Sequence, residues 1–455
     1  MDRIPTIPSF YPFLPPSERI PITIYTIPLI LSIGAPVFLL ADLARRPNTL
    51  LYRHAILAFA GYWCLYVMTG FRWMSMDMAP WNFALGLWCL MAFAKTVEYG
   101  TNTTGFRRLD EPEPVSTYAP TSHTNGDAKP STNGHASIHN GTTRNGDAPS
   151  RSVQAPAEDI FEHRIGDTLD LVCFVRGVGW AHGEGTYIPP FPFPSLSGPE
   201  LRRKWLRYAA MQFLMAFLLF DAVEVALKQH PNFRSPGPAS MFVSSLPPLK
   251  RFGLATATSL ATGIAVVLGF QSAYYFFGFC CVLFKGDDPR SWPPIQDAPW
   301  FATSLHDFWA KKWHQLLRRS FLVMGGYPLQ YLISPLLGPA AGEIAAVVGV
   351  FLASGLLHML AQFPIGLPLQ WGSVLFFLMQ GAGVGLERVF RIVTGKHVGG
   401  VAGWVWVAAW VVLGGILACE DWHMHGLGAG IVIPPMFSPL RAVILPLGRR
   451  LWGQS

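Results

Sequence analysis

Two histidines, His314 and His358, are able to move a proton in an apolar setting. His358 closes the run Val350-Phe-Leu-Ala-Ser-Gly-Leu-Leu-His, inside a stretch free of other charge from 344 to 362. Ionisable groups within such a run are costly and commonly line a cavity or a pathway. A neutral histidine bonded to a neighbouring helix is cheaper, so a catalytic and a structural reading both stand. His314 ends the run Ser304-Leu-His-Asp-Phe-Trp-Ala-Lys-Lys-Trp-His. Helical spacing puts Trp309 and Trp313 on one face, with Lys311 and Lys312 reaching toward headgroups. By itself this run also describes an interfacial helix with aromatic and basic anchors.

The elements that must position these residues are apolar and long. Of the 455 residues 51% are hydrophobic and only 13% charged, about half the charge of an average soluble domain. Mean hydropathy is +0.32. A bilayer core takes about 20 mostly apolar residues per helix. Runs at 21–41, 55–70, 81–94, 208–227, 254–284, 321–337, 343–362, 372–389 and 401–419 meet that description. A proline-interrupted run at 428–447 is a weak tenth. The expected fold is therefore all-α, a multi-pass transmembrane bundle of about eight to ten helices. The N-terminus lacks the pattern of a cleavable signal, so the first run is expected to stay as a span.

Residues 101–157 break the pattern. They are rich in Asn, Ser, Thr, Gly and Pro, cannot bury enough surface to order, and are expected to be a disordered insert. The chain thus divides into N-terminal membrane helices at 1–100, the insert at 101–157 and a membrane core at 158–455. Sequons at Asn102 and Asn140 fall in the insert. Charge points the other way. The loops holding Arg45, Arg46 and Arg53, Arg202 to Lys204, and Lys311 to Arg319 fall on one side, which the positive-inside tendency makes cytosolic. Arg388, Arg391 and Lys396 then sit on the opposite side.

Several function classes are set aside. The net charge of +7 is spread between apolar runs rather than gathered in one patch, so it fits membrane flanks and not nucleic-acid binding. The six cysteines form no CxxC pair and mostly lie in apolar runs, so buried thiols are expected, with no disulfide framework or zinc site. Asp421-Trp-His-Met-His425 places two histidines two apart, which suits no complete metal site, and no metal is expected. Asp221 and Glu224 are acids inside a span with no evident partner; they could line a tunnel or bind a hydroxyl. Gly381, Gly383 and Gly385 give the small-residue spacing of close helix packing.

Taken together, these segments resemble the wax-synthase-like branch of the membrane-bound O-acyltransferases. The run from Ser304 to His314 is similar to that group's S-L-x-[DE]-F-W-[GA]-[KR]-[KR]-W-[HN] signature. Phe351, Ser354, Gly355 and His358 match its F-x-x-S-G-x-x-H element, and Arg176-Gly-Val-Gly-Trp180 is similar to a segment common in fungal members. The resemblance spans about 170–389. It implies a helical bundle with an internal tunnel, acyl-CoA as co-substrate with no bound cofactor, and a lipophilic alcohol as acceptor.

By the same resemblance His358 is the catalytic histidine. An alcohol attacking a thioester needs a base within hydrogen-bonding reach, and a neutral imidazole serves. His314, often Asn in wider relatives, or a nearby Trp N–H would supply an oxyanion donor. Trp309, Trp313, Asp307 and Ser354 are the expected substrate-contacting residues. The expected activity is acetyl transfer to a terpenoid or meroterpenoid hydroxyl, in the endoplasmic reticulum membrane. Wax-ester synthesis is the alternative within the family. A transporter or lipid-binding protein is the alternative outside it, though the internal repeats of a transporter are not evident.

Overall fold

The computed structural model describes residues 14–111, 157–173 and 176–446, with backbone alone for 157–164. Among these residues seven helices are long and apolar enough to cross a membrane. They are α1 (Ile27–Ala44), α2 (Leu50–Gly70), α5 (Gly198–Leu227), α6 (Pro248–Lys285), α8 (Pro339–Ile365), α9 (Gly372–Thr394) and α10 (Gly400–Met424). Three more helices pack among them: α3 (Ala79–Thr101), α4 (Ala157–Cys173) and α7, which covers 318–337. The strand content among the described residues is one short parallel pairing of Ile20–Pro21 with Phe71–Arg72. The all-α multi-pass bundle expected from hydropathy is the observed architecture.

Of the expected eight to ten helices, seven among the described residues have the length and hydropathy of a span. The runs at 81–94 and 321–337 are helical as well, within α3 and α7, which also carry charged groups. Lys95 and Glu98 of α3 pair at 2.8 Å, and Arg319 of α7 joins Glu98 at 2.9 Å. The stretch at 428–447 forms no span. As far as it is described, it holds a 3-10 turn at Pro435–Phe437 and a π turn at Leu440–Ile444. Asp221 and Glu224 explain how this stretch stays seated. Asp221 accepts from Ser438 Oγ at 2.5 Å and Leu440 N at 2.9 Å, and Glu224 from Val432 N at 3.0 Å and Ile433 N at 3.3 Å. Both acids are clasps for the C-terminal stretch, which corrects the expectation that they lack partners.

One end of the bundle is tied by charge. Arg45, after α1, bonds Glu111 and Asp167; Arg108 bonds Asp167 and Asp170; Lys285, at the end of α6, reaches Asp170 at 2.8 Å. The polar segment expected to start at 101 is therefore packed as far as Glu111, with Phe106 buried. Residues 112–156, where the expected disorder and Asn140 fall, lie outside the described residues. Asn102 is seated, its carbonyl accepting from Arg53 at 2.7 Å.

The helices that carry the site form a contiguous set, with α7 on α8, α8 on α9, and α9 on α10. Glycine lets them approach. A Cβ at Gly355 would lie 2.7 Å from Val374 Cα, and one at Gly372 would lie 2.3 Å from the Leu417 carbonyl oxygen. Gly381 and Gly383 are close-packed in the same way, against Phe351 and Leu305, while Gly385 faces open space.

Candidate active site

The 304–314 run is held at its start by two caps. Ser304 Oγ accepts from Asp307 N at 2.9 Å, an N-cap that fixes one helical turn at Leu305–Asp307. Glu387, buried in α9, accepts from Leu305 N at 2.6 Å, His306 N at 3.0 Å and Trp406 Nε1 at 3.0 Å. A carboxylate against the free amides of a helical turn is favourable in charge as well as hydrogen bonding. Sequence reasoning passed over Glu387 because its partners lie about 80 residues away, on another element.

The run does not continue as the single amphipathic helix that its periodicity suggests. After Asp307 it widens into a π turn at Phe308–Lys312, and Trp313 is extended. The aromatic residues still meet. Phe308 and Trp313 stack at 5.6 Å, and Trp309 sits edge-on to Trp313 at 5.9 Å. Trp309 then reaches Phe351, Phe376 and Phe377, and donates to Gln380 Oε1 at 3.3 Å. Its N–H thus has a protein acceptor in this structure. Asp307 is half-buried on the short turn, and Lys312 pairs with Asp297 at 3.3 Å.

His358 sits near the C-terminal end of α8 with Nδ1 2.7 Å from the Ser354 carbonyl oxygen. A carbonyl can only accept, so Nδ1 carries the proton and Nε2 keeps its lone pair. The ring is stacked against Phe377 at 4.7 Å and Trp422 at 5.8 Å. The Ser354 backbone carbonyl, rather than its hydroxyl, orients the ring. Gln362, fully buried, donates to the His358 carbonyl at 3.3 Å, and its Oε1 has no partner among the described residues.

His314 is buried between Phe270, at 4.4 Å, and Trp313, at 4.9 Å, and its Nδ1 has no partner among the described residues. Burial pushes its pKa down to about 3, helped by the positive charge of Arg176. The ring is neutral at physiological pH. An aromatic wall joins the two histidines, running from His314 through Trp313, Trp309 and Phe377 to His358.

A cavity of about 230 Å³ lies beside His314, lined by Arg176, Phe270, Tyr274, Phe277, Trp292 and Leu316 among others. Phe270 is shared between the cavity wall and the His314 ring. Arg176 is anchored by the carbonyls of Pro293 at 2.7 Å and Pro294 at 2.8 Å. The Arg176-Gly-Val-Gly-Trp180 segment needs its glycines. Gly177 and Gly179 have φ of +68° and +80°, and a Cβ at Gly177 would meet Gly183 at 2.8 Å.

The low pKa of His314 makes a stability prediction. Between about 3 and the unfolded value near 6.5, the unfolded chain binds the extra proton, so stability rises with pH across that window. Acidifying from pH 6.5 to 5 should cost about 2 kcal/mol through this group alone. His314→Asn removes that contribution, so its melting temperature should fall less between pH 7 and pH 5 than that of the unaltered protein. Thermal unfolding in detergent at the two pH values measures the difference, and equal falls would refute it.

The comparisons with known proteins fall on this same region. Residues 292–379, which include both histidines, match the model described as the membrane bound O-acyl transferase family. This stretch of the chain is therefore similar to that family. Acetyltransferase atnC of Arthrinium sp is 25% identical over 299 residues, 62% of this chain and 66% of that protein. Acetyltransferase ple2 of Rhodocybe pseudopiperita is 29% identical over 273 residues, 57% of this chain and 65% of the relative. A probable long-chain-alcohol O-fatty-acyltransferase 1 of Arabidopsis thaliana is 33% identical over 95 residues, 21% and 28% of the two chains. The match to each of these relatives covers less than two thirds of the relative's own length. No solved structure gives a significant match.

Proposed function

We propose that the protein transfers an acyl group, acetyl by preference, from its CoA thioester to a hydroxyl of a lipophilic acceptor. The observation that carries this reading is His358. Its Nδ1 is committed to the Ser354 carbonyl, which leaves Nε2 as a free base in an apolar setting. The acceptor hydroxyl attacks the thioester carbonyl while Nε2 takes its proton. The tetrahedral oxyanion is stabilised by a neutral N–H donor, the role assigned to His314, whose Nδ1 has no protein partner among the described residues. Collapse of the intermediate breaks the C–S bond, and the departing thiolate recovers the proton from the His358 imidazolium. Trp309, Trp313, Asp307 and Ser354 shape the surrounding wall, with the cavity beside His314 as a place for an apolar part of the substrates.

The names of the fungal relatives, both acetyltransferases, favour acetyl as the group moved. A terpenoid or meroterpenoid alcohol is the proposed acceptor, and the endoplasmic reticulum the proposed membrane. The plant relative's name supports a second reading, a long-chain alcohol receiving a fatty acyl group. Membranes containing the protein separate the two. They are incubated with labelled acetyl-CoA or palmitoyl-CoA, each offered hydroxylated terpenoids (geranylgeraniol among them) or hexadecanol. Acetylated terpenoid is the expected product. Hexadecyl hexadecanoate as the main product would favour the second reading, and no ester from any pair would refute both.

A further inference from the structure

We propose that the Asp421-Trp-His-Met-His425 segment is a charged positioning device for His358; this rests on the acyl-transfer reading above. The two histidines of the segment diverge. His423 Nε2 meets Thr262 Oγ1 at 3.0 Å, whereas His425 turns to the start of α9. His425 Nδ1 lies 2.8 Å from the Asp421 carbonyl oxygen, and Nε2 lies 3.1 Å from the Pro368 carbonyl oxygen. Both acceptors are carbonyls, so both ring nitrogens must donate and the ring is an imidazolium. The Asp421 carboxylate balances it, with Oδ1 3.3 Å from Nδ1 and both side chains 1% exposed.

The other carboxylate oxygen continues the chain of contacts. Asp421 Oδ2 accepts from Ser373 N and from Ser373 Oγ, each at 3.1 Å. Having donated its hydrogen there, Ser373 Oγ accepts from Trp422 Nε1 at 3.0 Å. The indole is parallel to the His358 ring within 22°. His425 pairs with the Asp421 carboxylate by charge, and that carboxylate accepts from Ser373. Ser373 accepts from Trp422, and the indole stacks on the His358 ring at 5.8 Å.

A buried ion pair is an expensive way to stabilise a fold, because desolvation offsets most of the attraction. Here it fixes one side of the slot in which the His358 ring sits, with Phe377 on the ring as well. Rotation of the ring would swing Nε2 away from the acceptor hydroxyl. Reacting groups are sensitive to displacements of about 1 Å, which can cost 10²-fold in rate. The Asp421, Ser373, Trp422 and His425 side chains are thus positioning residues. They touch the base or one another, and act through its orientation.

The test uses the full chain in lipid nanodiscs. In ¹⁵N-histidine NMR at pH 7.5, with His425→Gln for assignment, His425 should show two protonated ring nitrogens. A neutral His425 overturns the proposal. Rates are then read with acetyl-CoA and geranylgeraniol. Ser373→Ala and Trp422→Phe, which keep fold and stacking, should each lower kcat by roughly 10-fold to 100-fold, with KM for both substrates within about 2-fold. The double variant should be no slower than the worse single one, because both remove the same N–H···O contact. Multiplied losses, KM changes in step with kcat, or unaltered kcat in both singles would overturn it. If His358→Ala is inactive while Trp422→Phe turns over normally, the positioning proposal alone falls. Activity in His358→Ala sinks both readings.

Discussion

His358→Ala should lose acyl transfer by roughly 10² to 10⁴ in kcat, the range expected when a positioned general base is removed. The loss should appear in turnover rather than in KM, because Nε2 is free to meet a proton and has no hydrogen-bond partner among the described residues. Alanine suits a helix, and α8 stays apolar along its length without the imidazole, so membrane insertion should be unaffected. Truncation also leaves a gap beside Phe377 and Trp422, which the histidine ring fills in the unaltered protein. For that reason His358→Gln is a needed companion. It fills most of the space and can hydrogen-bond, but it cannot take up a proton at neutral pH. Both variants should be inactive, with matched protein in the membrane fraction. Turnover within a few fold of normal in either would remove His358 from the role of base.

The bundle was legible because lipid forces long apolar helices, and their runs survive in any reading of hydropathy. What hydropathy could not supply was the reach of single polar groups. Asp221 looks unpartnered along the chain because the groups that clasp it, the Ser438 hydroxyl and the Leu440 amide, lie more than 200 residues away. So do the amides on Glu224, although Lys228, one turn on from Glu224, was within reach of helical spacing. Glu387 sits beside Arg388 and Arg391, and in sequence it reads as one more charge at the end of a span. Its contacts with Leu305 and His306 are visible only once α9 lies against the 304–314 run.

The histidines were a mixed case. An isolated His358 in an apolar run is conspicuous, and a ring nitrogen bonded to the carbonyl four residues earlier follows from helix geometry. The π turn at 308–312 is different. Helical spacing is the natural reading of Trp309 and Trp313, and the widened turn brings them together by another route. The 421–425 segment defeated periodicity altogether, since its meaning depends on where each ring points.

The second large effect is expected at His314, where alanine and asparagine should part company. If the ring donates a hydrogen bond to the oxyanion, His314→Ala should lose roughly 10² to 10³ in kcat/KM, the scale of removing one such donor. His314→Asn should keep much of the activity, because a side-chain amide still donates. The environment favours this pattern over a titrating one. With its pKa pushed down to about 3, His314 is neutral across the working range and has no proton to gain or lose near pH 7. Asparagine therefore replaces the function that a neutral ring performs, although it leaves space between Phe270 and Trp313. A ring that served only to pack would predict equal, mild losses from both substitutions, and that result would withdraw His314 from the catalytic set. A ring that titrated in turnover would make asparagine as poor as alanine, with the unaltered rate falling on one side of a pKa near neutrality. Comparing kcat/KM from pH 6 to 8, with protein levels matched, separates the three patterns.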